Sequence, residues 1–346
     1  SSMMKAAFFR RHGGAEVMEY GSLPEPVAGP DEVLVRVRAL ALNQLDLFVR
    51  KGLPGLKLAF PHVGAADIAG EVAAAGEAVD GWREGERVVV NPNLWCGACE
   101  MCQAGEESLC ARYGIIGEHA PGGAAQYIAV PARNLYRIPG DFPFEQAAAV
   151  PLAWMTAWRA LIGQGGLRAG QSVLILGAGG GVASAAIQIA RYAGATVYAA
   201  SRSEAKLEQA RRLGADHLLR SDGQFGRELW NLTAKRGVDL VLENVGAATW
   251  EQSLRCVAKG GKLVTYGATS GPIVELDIRK LFWRQYAIIG STMANSREFA
   301  AVMRLVFQER RFAPLVDRVF PLSEIRAAHE YLESAEQFGK VVLLPE

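Results

Sequence analysis

The chain has 346 residues, half of them apolar, and 37 Lys and Arg against 36 Asp and Glu, for a formal net charge of +1. That length exceeds what a single hydrophobic core usually serves, so two domains are expected. The balanced charge leaves no footprint for nucleic acid or an anionic membrane, and no basic, apolar leader opens the chain, so the expectation is a cytoplasmic protein that engages neither.

The first part of the chain reads as short strands. "EVLVRVRALALN" (32–43) and "RVVVN" (87–91) are rich in β-branched residues and bounded by Gly, Pro and Asp clusters. "LWCGACEMCQAGEESLC" follows, holding Cys96, Cys99, Cys102 and Cys110 at C-x2-C-x2-C-x7-C spacing. Four thiolates fill a tetrahedral shell and leave no open position for substrate or water, so the reading is one structural zinc per chain. Only Cys256 lies outside the cluster, which fits metal thiolates in a reducing compartment better than disulfides. "AAQYIAVPARNLYRIP" closes the β-rich region.

From about Phe144 the texture changes. "FEQAAAVPLAWMTAWRALIGQ" reads as one helical stretch. Strands are then expected at 172–177, 196–201, 217–220, 238–243, 262–267 and 287–291, with helices between them. "SEAKLEQARRLG" is such a helix, with Ser203 as N-cap and Gly214 as stop. This alternation predicts a doubly wound parallel sheet. Residues 172–190 carry no formal charge, as a membrane span would, but the glycines bunched in the middle favour a buried strand turning into a buried helix. After about 291 come a helix, the strand "VDRVF", another helix and the terminal strand "FGKVVLLP".

"SVLILGAGGGVASAAIQIARYAGATVYAAS" places a glycine-rich turn between an apolar strand and an apolar helix. Such a turn lets backbone N–H groups approach a pyrophosphate at a helix N-terminus. Gly177 and Gly179 match a G-x-G-x-x-G, but Val182 stands where the third glycine belongs. The run Gly180, Gly181, Val182, Ala183 reads as a one-residue-longer variant. An ordinary strand–helix turn is the competing reading, and the further strands favour the dinucleotide. At the end of the second strand, "AASRSEAK" puts Ser201 where an acid would bind the adenosine ribose, followed by Arg202 and Lys206. A carboxylate would repel a 2′-phosphate, whereas Ser, Arg and Lys bind it, so NADPH is expected over NADH. The alternative is that Arg202 and Lys206 merely line a solvated helix start.

With these motifs in order, and with "GVDLVLENVG", "GGKLVTYGATSG" and "GKVVLLP" after them, the chain resembles the medium-chain dehydrogenase/reductase superfamily over essentially its whole length. The resemblance implies an α/β protein. A GroES-like β-rich catalytic domain would span 1–145, with the structural zinc lobe at about 92–113. A Rossmann domain would span 146–291, and residues 292–346 would return to the catalytic domain. It further implies that Thr156 approaches the nicotinamide and that Asn244, Val245, Tyr266, Gly267, Ala268 and Thr269 line the cofactor side of the sheet. Family members are commonly dimers or tetramers, so a homodimer or homotetramer acting on a small-molecule substrate is expected.

The zinc enzymes of this superfamily hold a second, catalytic zinc, and here the sequence departs from them. In "NQLD", Asn43 stands in place of a cysteine and Asp46 remains. In "GAADIAG", Ala66 takes the histidine position and Asp67 the glutamate's, while Leu152 falls near the third ligand. The Asn-x-x-Asp and Ala-Asp pattern resembles the quinone oxidoreductase and enoyl/enal reductase branch, which passes a hydride to an activated C=C bond or quinone without a catalytic metal. Asn43 then reads either as a hydrogen-bond donor to the developing oxyanion or as a strand-end residue bonding backbone. Asp46 reads as a structural acceptor rather than a base, and Asp67 as a group orienting the cleft. A substitute metal site from His62, Asp67 and His119 has no spacing to support it. Trp154 and Trp158 read as core. Two competing functions stand beside the reductase. One is an alcohol dehydrogenase or carbonyl reductase with an atypical or absent catalytic zinc; the other is a cofactor-binding structural or regulatory protein of low turnover.

Overall fold

A computed structural model describes residues 2–346. The chain forms two compact units, Ser1–Leu152 with Asn295–Glu346, and Ala153–Ala294.

The first unit is built on a seven-stranded sheet. Its order is Val316–Pro321, Lys340–Leu344, Glu32–Ala41, Asp67–Ala75, Arg87–Val90 and Leu135–Arg137, with Tyr127–Pro131 also pairing with Glu32–Ala41. Along Glu32–Ala41 the side chains alternate, so that Val33, Val35 and Val37 enter the core while their neighbours face outward. From Ala39 to Ala41 both faces are buried, and there the strand runs into the candidate site. Two registers place the site residues. Ala41 lies opposite Asp67 on one side and opposite Val342 on the other. Continuing the antiparallel count two residues brings Asn43 alongside Lys340.

The second unit is a six-stranded, wholly parallel sheet. Its order is His217–Arg220, Thr196–Ser201, Ser172–Ile175, Val238–Glu243, Val257–Thr265 and Ala287–Gly290. The strand order reverses direction at Ser172–Ile175, and in such sheets ligands bind beyond the carboxyl ends of the strands at that point. The uncharged run resolves into the strand Ser172–Ile175 and the helix Gly181–Tyr192. No helix of the described residues is long and apolar enough to cross a membrane.

Two expectations are corrected. The stretch read as helical is broken once, at Ala149 and Val150, between Phe144–Ala148 and Pro151–Trp158, which continues without a gap into the π-turn Arg159–Gln164. Pro151 has no N–H to continue a helix, but it suits the first position of a new one. The strand expected at 262–267 instead begins at Val257, through a register shift opposite Val238.

Candidate active site

The glycine turn of the second unit accepts glycine alone at two positions. Gly177 and Gly179 have φ of +65° and +116°. A Cβ on the first would lie 2.6 Å from Asn244 Oδ1, and one on the second 2.7 Å from Lys206 Cδ. Lys206 therefore lies against the turn, as Asn244 does from the next strand. Gly180 precedes the helix that opens with Gly181 and Val182, whose N–H groups have no intrahelical acceptor.

Beyond the neighbouring strand ends, Asn244 Oδ1 and the Tyr266 hydroxyl are buried with no hydrogen-bond partner among the described residues. Burial, and then Glu243, pushes the Tyr266 hydroxyl above its usual range, so it remains a neutral donor. Orphaned polar atoms here, beside a turn with room only for glycine, fit a polar ligand such as a dinucleotide. Thr269 N–H donates to Asn244 O at 3.1 Å and Ser270 N–H to Val245 O at 2.7 Å, so the segments 244–245 and 266–269 are fastened together. Gly267 passes close enough that a Cβ would sit 3.3 Å from Asn244 O, while Ala268 and Thr269 are exposed.

Sequence reasoning passed over Glu243, which is wholly buried. Its carboxylate accepts from Val245 N–H at 2.7 Å, Gly246 N–H at 3.0 Å, and the Thr249 and Ser253 hydroxyls, and so shapes the turn after its strand. Thr156 is buried, and its hydroxyl donates to Met293 Sδ at 3.8 Å.

At the far end of the turn, Ser201 Oγ accepts from Ser203 N–H at 3.1 Å, and Arg202 is exposed. Ser203 caps the helix Glu204–Leu213 as expected, accepting from Lys206 N–H at 3.2 Å. Arg220 also belongs here and was not anticipated. It lies opposite Ser201 in the parallel register, and its guanidinium bonds Glu204 and Asp222, each at 2.9 Å. Only strand pairing reveals it.

In the first unit, Asn43, Asp67 and Leu152, which the resemblance puts at or beside the catalytic ligand positions of zinc enzymes, come together. Asn43 Nδ2 donates to Asp67 Oδ2 at 3.0 Å, and Leu152 N–H donates to Asp67 Oδ1 at 2.8 Å. Lys340, which the sequence reading did not single out, donates from Nζ to Asn43 Oδ1 and lies 3.3 Å from Asp67 Oδ2. Asn43 is the N-cap of the helix Gln44–Lys51, where Asp46 closes a capping box with it, and its amide also reaches Asp67 and Lys340. Asp46 supplies the local tie: its carboxylate accepts from Asn43 N–H at 2.8 Å and Ala65 N–H at 2.9 Å. Burial raises Asp46 to about 6 against these two donors, and the structural role expected of it fits this geometry.

These residues do not fit a catalytic zinc. Asn43 offers an amide, Ala66 and Leu152 offer no donor side chain, and both Asp67 oxygens are engaged by neighbours that include an ammonium. The substitute set is not assembled either. His62 Nε2 donates to Gly117 O at 2.8 Å with its pKa pulled down by burial, and His119 Nδ1 accepts from Ile115 N–H at 2.9 Å. Among the described residues, one group of three or more such side chains converges, and it is Cys96, Cys99, Cys102 and Cys110, whose sulfurs lie within 4.8 Å of one another. N–H groups of Cys96 and Arg112 point at Cys110 Sγ, each at 3.3 Å, and those of Ala98 and Cys99 at Cys96 Sγ, at 3.4 and 3.3 Å. Four thiolates this close repel unless a cation neutralises them, and the all-sulfur set suits zinc, which would cross-link the lobe.

Comparison with known proteins gives the family. The zinc-binding dehydrogenase family matches residues 181–308, and the alcohol dehydrogenase GroES-like domain matches residues 29–140. The crystal structure of an NAD-dependent alcohol dehydrogenase is 44% identical, with a TM-score of 0.95 over 99% of this chain and 100% of that one. The crotonyl-CoA carboxylase/reductase of Cereibacter sphaeroides is 32% identical over 92% of this chain and 81% of its own length. The quinone oxidoreductase of Lama guanicoe is 28% identical over 99% of this chain and 98% of its own. Glycine turn, cysteine lobe and these relatives lead to one conclusion: the chain belongs to the medium-chain dehydrogenase/reductase superfamily and is an oxidoreductase.

Proposed function

We propose that this enzyme reduces an electron-poor C=C bond, as in an enal, enone or enoyl ester, or a quinone, and does so without a catalytic metal. The observation that carries the reading is the hydrogen-bonded set of Asn43, Asp67, Leu152 N–H and Lys340, formed where the resemblance puts metal ligands. NADPH, when bound, supplies the hydride. Asn43 supplies hydrogen bonding to the substrate oxygen, since one of its two amide N–H groups has no acceptor among the described residues. Conjugate reduction suits such a donor, because the substrate's own carbonyl delocalises the charge. Removing a hydride from an unactivated alcohol needs stronger alkoxide stabilisation. Crotonyl-CoA carboxylase/reductase and quinone oxidoreductase relatives support the substrate class. NADPH is favoured over NADH by Ser201, exposed Arg202, and Lys206 beside the glycine turn.

A second reading, an alcohol dehydrogenase or carbonyl reductase, is favoured by the 44% identical structure. The two separate in one screen. NADPH consumption is expected with enals, enones, quinones or enoyl thioesters, with poor oxidation of primary alcohols and no effect of a chelator that spares the thiolate lobe. Efficient alcohol oxidation abolished by that chelator would overturn the reductase. A homo-oligomer also belongs to this proposal, supported by the unpaired edge strand Ala287–Gly290 and by exposed Ile278, Phe282 and Trp283 before it. A cytoplasmic setting is supported by the metal-suited thiol set.

A further inference from the structure

The amide of Asn43 has two orientations, and its neighbours decide between them. A lysine ammonium has donors only and a carboxylate acceptors only. Lys340 Nζ therefore requires Asn43 Oδ1 on its side, and Asp67 Oδ2, at 3.0 Å, requires Nδ2 on the other. Asp67 is itself fixed, because Leu152 N–H holds its second oxygen at 2.8 Å. The chain dictates this juxtaposition through the sheet register that sets Asn43 alongside Lys340, and Leu42 N–H to Val341 O at 2.9 Å anchors the pair. Asp67 is fully buried, whereas Asn43 and Lys340 keep 9% and 5% of their surface, so these two form the accessible edge of the cluster.

We infer that Lys340 is a positioning residue for this site, locking the Asn43 amide with one N–H free for substrate oxygen and polarising that N–H by bonding the carbonyl of the same amide. The inference rests on the proposed role of Asn43. A hydrogen bond accepted at one end of an amide strengthens the donor at the other, and a positive charge behind the carbonyl strengthens it further. Lys340 thus acts through Asn43 and not on the substrate directly. Without Lys340 the amide loses the donor that holds its Oδ1 on that side and is freer to flip.

The test uses the whole enzyme with NADPH and its best enal, enone or quinone. Lys340→Met is expected to lower kcat by about tenfold or more with NADPH binding unchanged, and Lys340→Arg to recover part of the loss. The double variant Asn43→Ala/Lys340→Met should be no slower than Asn43→Ala alone, since the second change acts only through the first. Lys340→Met strands the buried Asp67 carboxylate and invites misfolding. Asp67→Asn/Lys340→Met removes both charges and should show the same loss of kcat. Losses that multiply in the Asn43 double variant would overturn the inference, as would an unchanged kcat in a folded variant or weaker NADPH binding at constant kcat. Amide orientation is read separately, by nitrogen-15 NMR of the Asn43 side chain, assigned by its disappearance in Asn43→Ala. The proton bonded to Asp67 should exchange slowly in the parent and faster in Lys340→Met, and equal exchange in the two would overturn the inference. A parent enzyme inert to every acceptor would overturn the proposed function, and the NMR comparison would still decide the positioning.

Discussion

Asp46 and His329 border the same small cavity of about 10 Å³, room for roughly one water, and burial moves them in opposite directions. Asp46 is raised from 3.8 to about 6, by burial that outweighs its two N–H donors. His329 is lowered from 6.5 to about 3, by burial and then by Arg50, whose guanidinium donates to His329 Nδ1 at 2.9 Å. The signs follow from which state binds the proton. Native Asp46 keeps a proton that the unfolded chain has lost, so its contribution is full below pH 3.8 and gone as pH rises through 6. That is worth about 3 kcal/mol. Native His329 lacks a proton that the unfolded chain holds, so its contribution is full above pH 6.5 and lost as pH falls toward 3. That is worth about 5 kcal/mol. Between about pH 4 and 6 the two slopes, each about 1.4 kcal/mol per pH unit, cancel. Asp46→Asn removes one of them. Relative to the parent, it should lose about 3 kcal/mol on going from pH 6 to pH 4, and His329→Gln should shift the opposite way. Urea unfolding at pH 4, 5 and 6 and constant ionic strength measures this as a difference from the parent, in which the other carboxylates cancel. Parallel pH profiles for parent and Asp46→Asn would refute the argument.

Elemental analysis should find about one zinc per chain, lost in a Cys99→Ser/Cys102→Ser variant; about two zincs per chain, with the second lost on changing Asp67, would contradict the site described above. Arg202→Ala should weaken NADPH binding by about 1.5–3 kcal/mol and leave NADH nearly untouched, as titration by nicotinamide fluorescence would show. Equal losses for both cofactors would mean that Arg202 does not read the 2′-phosphate.

What the sequence made legible was whatever local pattern determines. The cysteine spacing, the Gly177–Gly179 turn, the Ser203 cap and the alternation of strands and helices each follow from residues within a few positions of one another, and each is found in the fold. Lys340, Arg220 and Glu243 were missed for a shared reason. Lys340 lies nearly three hundred positions from Asn43, and only the pairing of the terminal strand with Glu32–Ala41 joins them. Arg220 reaches the Ser201 position only through parallel pairing of neighbouring strands. Glu243 reads as the polar end of an apolar strand, and nothing before the fold shows that its carboxylate turns inward to four donors. The helical reading of the segment after Phe144 missed one break, for a different reason. The apolar pattern is continuous across it, and one proline outweighed that pattern.

The cysteine lobe and the Asn43 cluster are held by separate sets of contacts. Among the described residues, the lobe's sulfurs bond lobe backbone and one another, and its outward ties run elsewhere than the cluster. Glu107 accepts from Ser296 N–H at 2.9 Å and Glu106 from Asn295 Nδ2 at 3.4 Å, which sets two carboxylates against the N-terminus of the helix Ser296–Met303. The helix dipole and its unpaired N–H groups favour that placement. Arg133 stacks 4.4 Å from the Trp95 ring and donates to the Trp95 carbonyl, fixing the lobe's other end. This helix begins at the point where the chain re-enters the first unit, so the lobe secures that re-entry. Nothing in that task depends on the side chains at residues 43, 66, 67 and 152. Asn, Ala and Leu can therefore stand at residues 43, 66 and 152, with an ammonium beside them, without bearing on the four converging sulfurs of the lobe.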